Sequence, residues 1–191
     1  MPAAARPPGV VRIVGGVWKR SKLVVAVRPG LRPTPARVRE TLFNWLGADL
    51  SGWRCLDAFA GTGALGFEAA SRGAAEVLLL ERDRALCALL VQARDRLDAL
   101  QLRVEQADAF DWMARCAASR FDLVLLDPPF DAHAFDAALA AARRIVVPGG
   151  FIYLEADRSF DVEAAAGLGL ALHRQGRAGA VHFHLLRETA G

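Results

Sequence analysis

Apolar residues follow two different spacings along most of this chain. Short apolar runs of four to six residues, such as 77–80 and 121–126, are typical of strands that are buried on both faces. Between these runs lie longer segments in which apolar residues recur every three or four positions, as they do on the packed side of a helix. Strands that alternate with helices in this way predict an α/β fold with a mostly parallel sheet.

The pattern also sets the expected bounds of the elements in the body of the protein. After a glycine-rich turn a helix is predicted to end near residue 72, and Pro148-Gly149-Gly150 precedes a strand. Two segments near the end of the chain predict a closing antiparallel hairpin. The predicted helices are 83–100, 108–118 and 132–144, the strand is 151–154, and the hairpin segments are 168–175 and 180–186.

The first 50 residues follow a different pattern. Residues 1–11 are rich in alanine and proline, which predicts a flexible tail. Residues 12–17 and 22–27 predict two short strands around a basic turn. Thr34 and Pro35 then suit the cap and the first position of a helix that ends at Gly47. We therefore divide the chain into a tail (1–11), a small extension of hairpin and helix (12–50) and a main domain (51–191).

Length and composition limit the class of protein. A chain of 191 residues is the size of one domain or a domain with a small extension. Neither a membrane-spanning apolar run nor a signal-peptide pattern is present in the sequence. The three cysteines are widely spaced and fit neither a zinc site nor a disulfide framework. We expect no metal site, no membrane association, a cytoplasmic location and a monomer.

Charge is distributed unevenly along the chain. The first 39 residues hold nine Lys or Arg and no acid, whereas the remaining 152 hold 15 basic and 21 acidic residues. A basic segment with strand and helix patterning favours binding to a polyanion. The residues expected to contact that polyanion are Arg12, Lys19, Arg20, Lys22, Arg32, Arg37 and Arg39.

A strong candidate for chemistry is the tetrapeptide Asp127-Pro128-Pro129-Phe130. It follows the apolar run 121–126, and its prolines end that strand because neither can donate a ladder hydrogen bond. Ligands of open α/β sheets bind at the carboxyl ends of the strands. An acid and a proline carbonyl can accept hydrogen bonds from an exocyclic amine while the aromatic ring stacks on the attached base. These four residues are therefore the candidate catalytic site.

A second candidate site is the glycine-rich segment 57–66. Gly61, Gly63 and Gly66 match the spacing G-x-G-x-x-G, and glycine there permits close approach of a ligand to the backbone. The glycines fit a nicotinamide dinucleotide as well, with Glu81 near the place of a ribose-binding acid. Asp57 argues against a pyrophosphate beside it, and favours a cationic amino group such as that of S-adenosylmethionine.

Acidic residues follow successive predicted strands in the same way. Asp57, Glu81, Asp108 and Asp127 each stand at or just after the end of a predicted strand. Glu81 can accept hydrogen bonds from two ribose hydroxyls and Asp108 from an adenine amine, and Asp108 is also expected to cap a helix, as is Asp83. The residues expected to bind the cofactor are Asp57, Phe59, Ala60, Gly61, Thr62, Gly63, Glu81, Arg82, Asp108 and Ala109.

These motifs resemble those of a known family. Asp57-Ala-Phe-Ala-Gly-Thr-Gly-Ala-Leu-Gly66, Glu81, Asp108-Ala109 and Asp127-Pro-Pro-Phe130 are similar to successive motifs of class I S-adenosylmethionine-dependent methyltransferases. Two amino-terminal stretches further resemble the bacterial 16S rRNA guanine-N2 methyltransferases of the RsmD type. They are Arg12-Ile-Val-Gly-Gly-Val-Trp-Lys-Arg-Ser-Lys-Leu23 and Gly30-Leu-Arg-Pro-Thr-Pro-Ala-Arg-Val-Arg-Glu-Thr-Leu-Phe-Asn-Trp-Leu46.

The resemblance implies a fold, a reaction and a partner. The fold is a Rossmann-like, seven-stranded, mostly parallel sheet with helices on both faces. The reaction is methyl transfer from S-adenosylmethionine to the N2 amine of a guanine, and the partner is 16S rRNA or a small-subunit assembly intermediate. Three alternatives remain open on the residues: a DNA adenine-N6 methyltransferase, a nicotinamide-dependent oxidoreductase and a catalytically silent RNA-binding module.

Overall fold

A seven-stranded sheet forms the centre of the computed structural model, which describes residues 9–26, 33–129 and 132–189. Its strands follow one another in space in the order β5-β4-β3-β6-β7-β9-β8. Strands β3 to β7 pair in parallel, and β9 pairs antiparallel with β7 and β8. The strands are β3 (Arg54–Asp57), β4 (Glu76–Glu81), β5 (Leu102–Gln106), β6 (Phe121–Leu126), β7 (Val146–Ala156), β8 (Leu170–Ala178) and β9 (Val181–Glu188).

Six helices and a small hairpin surround this sheet among the described residues. The helices are α1 (Ala36–Trp45), α2 (Ala64–Ser71), α3 (Arg84–Arg96), α4 (Ala109–Arg115), α5 (Ala132–Ile145) and α6 (Val162–Gly167). The separate two-stranded hairpin consists of β1 (Gly9–Arg12) and β2 (Lys22–Val25). The predicted α/β class, the mostly parallel sheet and the closing hairpin are confirmed. None of the helices in the described ranges is long and apolar enough to span a membrane.

Strand alternation separates the core into two layers. Because successive side chains of a strand face opposite sides of the sheet, Cys55, Leu79 and Leu125 lie in one hydrophobic cluster, and Leu56 and Leu80 lie in the other. The first cluster also includes residues of α1, α2, α3 and the hairpin, and the second includes residues of α4, α5 and α6. The sheet is therefore covered on both faces, as its apolar strands predict.

The amino-terminal extension packs directly on the main domain. Val11, Ile13, Leu23 and Val25 are buried in the same cluster as α1 and α2. The prediction that residues 1–11 form a flexible tail is wrong for residues 9–11, because they pair with β2. Residues 1–8 lie outside the described residues. The hairpin begins and ends earlier than predicted, because its strands occupy 9–12 and 22–25 rather than 12–17 and 22–27.

Local capping explains where several helices begin. The side chains of Asp83 and Asp108 accept hydrogen bonds from backbone N–H groups in the first turns of α3 and α4, as predicted. The prediction that Thr34 caps α1 is wrong: Pro35 occupies the cap position, and no side chain caps that helix. Sequence periodicity also missed the short helix α6, which Asp161 caps by accepting from Ala164 N–H.

Candidate active site

The topology of the sheet creates a crevice at the carboxyl ends of β3 and β6. These two strands are parallel neighbours, but the chain leaves β3 towards β4 and β5 on one side and leaves β6 towards β7 on the other. Such a reversal of strand order leaves the space above the strand ends open to a ligand. Asp57 ends β3 and Asp127 follows β6 directly. The two principal motifs of the sequence therefore meet at this reversal point.

Two glycines are required where the chain passes from β3 through a turn into α2. Gly63 adopts a φ of 76°, which is a left-handed conformation that favours glycine. A Cβ atom on Gly66 would lie 2.1 Å from Leu79 Cδ2 and 3.1 Å from Asp57 Oδ2. Gly66 therefore allows α2 to pack closely against the sheet. The first glycine of the motif, Gly61, donates its backbone N–H to Glu81 Oε2 over 2.9 Å.

Asp57 is a buried acid beside this turn. Its side chain is 2% exposed, and Oδ2 accepts a hydrogen bond from the Gly66 N–H over 2.9 Å. The pKa of Asp57 is raised from 3.8 to about 7, mainly by burial; the hydrogen bond from Gly66 opposes this rise, and the charges of Glu81 and Glu155 add to it. A carboxyl group in this state is stabilised as an anion by any cation that approaches it.

Glu81 lies at the end of β4 and connects two loops. Its Oε2 accepts from the Gly61 N–H, and its Oε1 accepts from the Asp83 N–H over 2.8 Å. Both hydrogen bonds use backbone donors and leave further lone pairs on each oxygen. The Glu81 side chain is half-buried. The position and remaining acceptor capacity of this carboxylate fit a ligand that carries paired hydroxyl groups.

The end of β5 completes the row of acids. Asp108 is exposed, and its Oδ1 accepts from Phe110 N–H over 2.9 Å. Beside it, Phe59 and Phe110 meet edge to face with ring centroids 5.5 Å apart. Both rings are half-buried, with Phe59 in the turn after β3 and Phe110 in the first turn of α4. Of the other predicted cofactor-binding residues, Ala60, Thr62 and Ala109 are buried and Arg82 is exposed.

Asp127 is the acid on the other side of the reversal point. Its side chain is half-buried. Desolvation raises the pKa of its carboxyl well above the ordinary value, and the charges of Glu155 and Asp57 raise it further. Pro128 is buried and Pro129 is exposed. Phe130, the fourth residue of the predicted catalytic tetrapeptide, lies outside the described residues.

A buried acid that the sequence analysis did not identify lies beside Asp127. Glu155 is 4% exposed and stands in β7, where Leu154 pairs with Leu126. Its Oε1 accepts hydrogen bonds from the Thr34 hydroxyl over 2.6 Å and from the Tyr153 hydroxyl over 3.0 Å. Burial also raises the pKa of Glu155. The sequence signal for this residue is that it directly follows the predicted apolar strand 151–154, as Asp57, Glu81 and Asp127 follow theirs.

Most of the predicted RNA-binding residues of the extension are accessible. Arg12, Lys19, Arg20, Lys22 and Arg37 are exposed. Arg12 and Lys22 are cross-strand partners, so they lie side by side on the outer surface of the hairpin. Arg32 lies outside the described residues.

The prediction that Arg39 is available to RNA is wrong. Its side chain is 2% exposed and donates to Glu68 Oε2 over 3.1 Å, to the Thr34 carbonyl over 3.1 Å and to the Arg12 carbonyl over 2.9 Å. Helical spacing placed Arg39 next to exposed positions, but the hairpin covers that side of α1. Arg39 therefore belongs to the interior of the protein.

Glu68, which is fully buried in α2, joins the extension to the main domain. Besides Arg39, its carboxylate accepts from the backbone N–H groups of Val14 and Gly15 and pairs with Arg72. The same helix therefore follows the glycine turn at one end and holds the basic hairpin along its side. No described group of three or more His, Cys, Asp or Glu side chains is arranged to hold a metal ion.

Comparisons with known proteins agree with this geometry. A family model described as "Conserved hypothetical protein 95" matches residues 11–187. The chain is 38% identical over 187 residues to ribosomal RNA small subunit methyltransferase D of Escherichia coli (strain K12), covering 95% of this chain and 92% of that protein. It is 39% identical over 158 residues to the protein of that name from Haemophilus influenzae, covering 78% and 80%.

A solved structure extends the comparison to three dimensions. A putative methyltransferase from Escherichia coli superposes with a TM-score of 0.83 and 38% sequence identity, covering 96% of this chain and all of that chain. The match includes the amino-terminal extension as well as the sheet, since so little of either chain is left out. The Rossmann-like fold expected from the motifs is thus shared with a solved methyltransferase-like protein.

Proposed function

This chain belongs to the ribosomal RNA small subunit methyltransferase D family, and from that premise we propose that it methylates the exocyclic N2 amine of a guanine in 16S rRNA with S-adenosylmethionine as the methyl donor. Family membership supports an rRNA methyltransferase. The observation that supports methyl transfer to a guanine amine is that the proposed cofactor site and the proposed amine site lie at the same reversal of strand order in the sheet. The glycine turn and Asp57 stand at the end of β3, and Asp127 follows the neighbouring β6.

The residues beside the glycine turn fit S-adenosylmethionine. The buried Asp57 carboxyl suits the cationic amino group, and Glu81 has acceptor capacity for the ribose hydroxyls. Asp108 and the backbone of Ala109 are proposed to hold the adenine, next to the Phe59 and Phe110 rings. When bound, this cofactor supplies an activated methyl group, whose C–S bond breaks with its electron pair on sulfur as a C–N bond forms.

The protein's own task is to position the amine. The guanine must leave any paired stack so that its amine can be reached. Asp127 and the Pro128 carbonyl accept hydrogen bonds from that amine, which directs the nitrogen lone pair away from the ring, and Phe130 is proposed to stack on the base. The amine proton becomes acidic once nitrogen is methylated and passes to Asp127 and then to water. Positioning therefore supplies most of the catalysis.

Mapping the methylated nucleoside tests the proposal. Small-subunit rRNA and assembly particles from cells that lack this protein are incubated with the enzyme and labelled S-adenosylmethionine, then digested to nucleosides. We expect the label in N2-methylguanosine. Label in N6-methyladenosine would support the alternative of an adenine methyltransferase, and binding of a nicotinamide dinucleotide instead of S-adenosylmethionine in calorimetry would favour an oxidoreductase.

Affinity for the methyl donor is expected to depend on pH through Asp57. Its pKa of about 7 means that the free protein holds a proton there at lower pH, and a cationic amino group requires that proton to leave. Below pH 7, the Kd for S-adenosylmethionine should therefore rise by up to about tenfold for each pH unit, and above pH 7 it should level off. Calorimetry across this range measures the effect. Adenosine, which lacks the amino acid part, is the control and should show no such trend.

Neutralising the basic hairpin is expected to weaken RNA binding and its dependence on salt. The variant combines Lys19→Gln, Lys22→Gln and Arg20→Asn, because Arg20 has a φ of 72° that asparagine tolerates. The slope of log K against log salt should fall by about 0.7 for each phosphate of single-stranded RNA that the variant no longer neutralises. Neutralising three exposed arginines elsewhere, Arg103, Arg115 and Arg174, is the matched control. Equal slopes for the two triple variants would exclude the hairpin from the RNA-binding surface.

A further inference from the structure

A buried hydrogen-bonded group connects the extension to the proposed amine site. Thr34 lies two residues before α1 and belongs to the basic extension, whereas Tyr153 and Glu155 lie in β7. All three are buried, with exposures of 6%, 0% and 4% respectively. Both hydroxyl groups donate to the same carboxylate oxygen, Glu155 Oε1. Thr34 and Glu155 are 121 positions apart in the chain, so this contact fixes tertiary structure.

The position of Glu155 relative to Asp127 follows from the strand register. Leu125 pairs with Tyr153 and Leu126 pairs with Leu154 in the parallel ladder of β6 and β7. One further step along each strand brings Asp127 and Glu155 to the same level of the sheet. Leu125 and Tyr153 belong to the cluster on the α1 face, so strand alternation places Glu155 on that face, where Thr34 meets it.

We propose that Glu155, held by the hydroxyl groups of Thr34 and Tyr153, is a positioning residue that makes Asp127 a better acceptor for the substrate amine. This inference rests on the proposed methyl transfer. A second buried carboxylate disfavours the ionised form of Asp127, so Asp127 binds a proton more strongly. The proton that the methylated nitrogen releases then has a ready acceptor. The two hydroxyl donors favour the charged form of Glu155 and so oppose the effect of its burial.

The protonation state of Asp127 at a given pH depends on the groups around it. The titratable groups of the described residues that act on Asp127 are Asp57 from β3 and Glu155 from β7. Tyr153, also from β7, adds a hydroxyl that donates to Glu155, and Thr34 from the segment before α1 adds another. Among these, Glu155 has the larger electrostatic effect on Asp127. Removing its charge should therefore lower the pKa of Asp127, since a negative neighbour no longer opposes ionisation.

The test is the pH profile of Glu155→Gln. The glutamine keeps an oxygen for Thr34 and Tyr153 but loses the charge. Single-turnover methyl transfer is measured from about pH 5.5 to about pH 9 at saturating cofactor. On the acidic side, the pH at which the rate is half of its maximum should fall by on the order of one unit. The maximal rate should fall several-fold because Asp127 becomes a weaker base. Glu163→Gln, an exposed acid in α6, should leave the profile unchanged.

A second pair of variants separates positioning from simple packing. Thr34→Val keeps the side-chain volume but removes the hydroxyl that favours the charged form of Glu155. Its profile should move in the same direction as that of Glu155→Gln, by a smaller amount. Thr34→Ser restores the hydroxyl and should restore the profile. Well above pH 7, where Asp57 is ionised in every variant, affinity for S-adenosylhomocysteine should stay within about threefold, because none of the substituted residues lies in the glycine turn.

Two outcomes would overturn the inference and are distinguishable from failure of the proposed function. The first is an active wild-type protein together with a Glu155→Gln variant whose pH profile is the same on the acidic side. That result would reject the role of Glu155 and leave the proposed methyl transfer intact. Identical profiles for Thr34→Val and Thr34→Ser would do the same, even if Glu155→Gln did not fold. A wild-type protein without methyl transfer to rRNA would reject the proposed function and this inference together.

Discussion

Replacing Asp127 with asparagine should lower methyl transfer by about 10²- to 10³-fold, while the affinity for S-adenosylhomocysteine stays within about threefold. Asparagine keeps the shape of the side chain but presents a neutral amide where the substrate amine needs a strong acceptor. It also cannot take up the proton that the methylated nitrogen releases. The cofactor residues lie at or just after the carboxyl ends of β3, β4 and β5, so they should keep their positions.

The control for this variant is the same substitution at an exposed site. Asp136 lies on α5 with its side chain 62% exposed, so Asp136→Asn should leave turnover unchanged. Single-turnover rates and calorimetry on both variants separate the chemical step from cofactor binding. Turnover by Asp127→Asn within a few-fold of the wild-type rate would remove Asp127 from the proposed amine site.

Replacing Arg39 with alanine should lower the free energy of unfolding by about 3–5 kcal/mol, because it leaves a buried charge without one of its partners. Glu68 has no exposed surface and would keep Arg72 and two backbone N–H groups as partners. The Thr34 and Arg12 carbonyls would also lose their side-chain donor. The extension and α2 should therefore separate more easily.

Arg37→Ala is the matched control, since Arg37 lies on the same helix and is exposed. It should change the free energy of unfolding by no more than about 0.5 kcal/mol. Urea denaturation, monitored by circular dichroism, measures the free energy of unfolding of both variants. The two values are comparable when the free energy falls with urea concentration at the same slope. Equal stability of the two variants would contradict the view that Arg39 is an interior residue.

The sequence was most informative where a local rule fixes the structure. Apolar runs with strand length predicted the parallel sheet, and Asp83 and Asp108 were recognisable as helix caps because an acid preceding a helix has local backbone donors to accept from. The acids at the strand ends could also be placed together, since parallel strands bring their carboxyl ends to one edge. Their order in space, Asp108, Glu81, Asp57 and Asp127, follows the strand order.

The sequence was least informative where distant segments meet. Arg39 has the pattern of a surface residue, and only the hairpin that covers α1 makes it buried. Thr34 stands where a helix cap is expected, but its hydroxyl binds an acid 121 positions away. Glu155 is different, because it lies at the carboxyl end of β7 directly after the apolar run 151–154, and the pattern of acids at strand ends applies to it as well. Tertiary contacts decide the positions of Arg39 and Thr34, and local periodicity carries no information about them.

The crystal structure of this protein with S-adenosylhomocysteine would test most directly whether one crevice holds both halves of the reaction. The product should lie over the glycine turn, with its amino group near Asp57, its ribose on Glu81 and its sulfur facing Asp127 across the junction of β3 and β6. A product bound elsewhere, or bound with its sulfur directed away from Asp127, would contradict the proposed site.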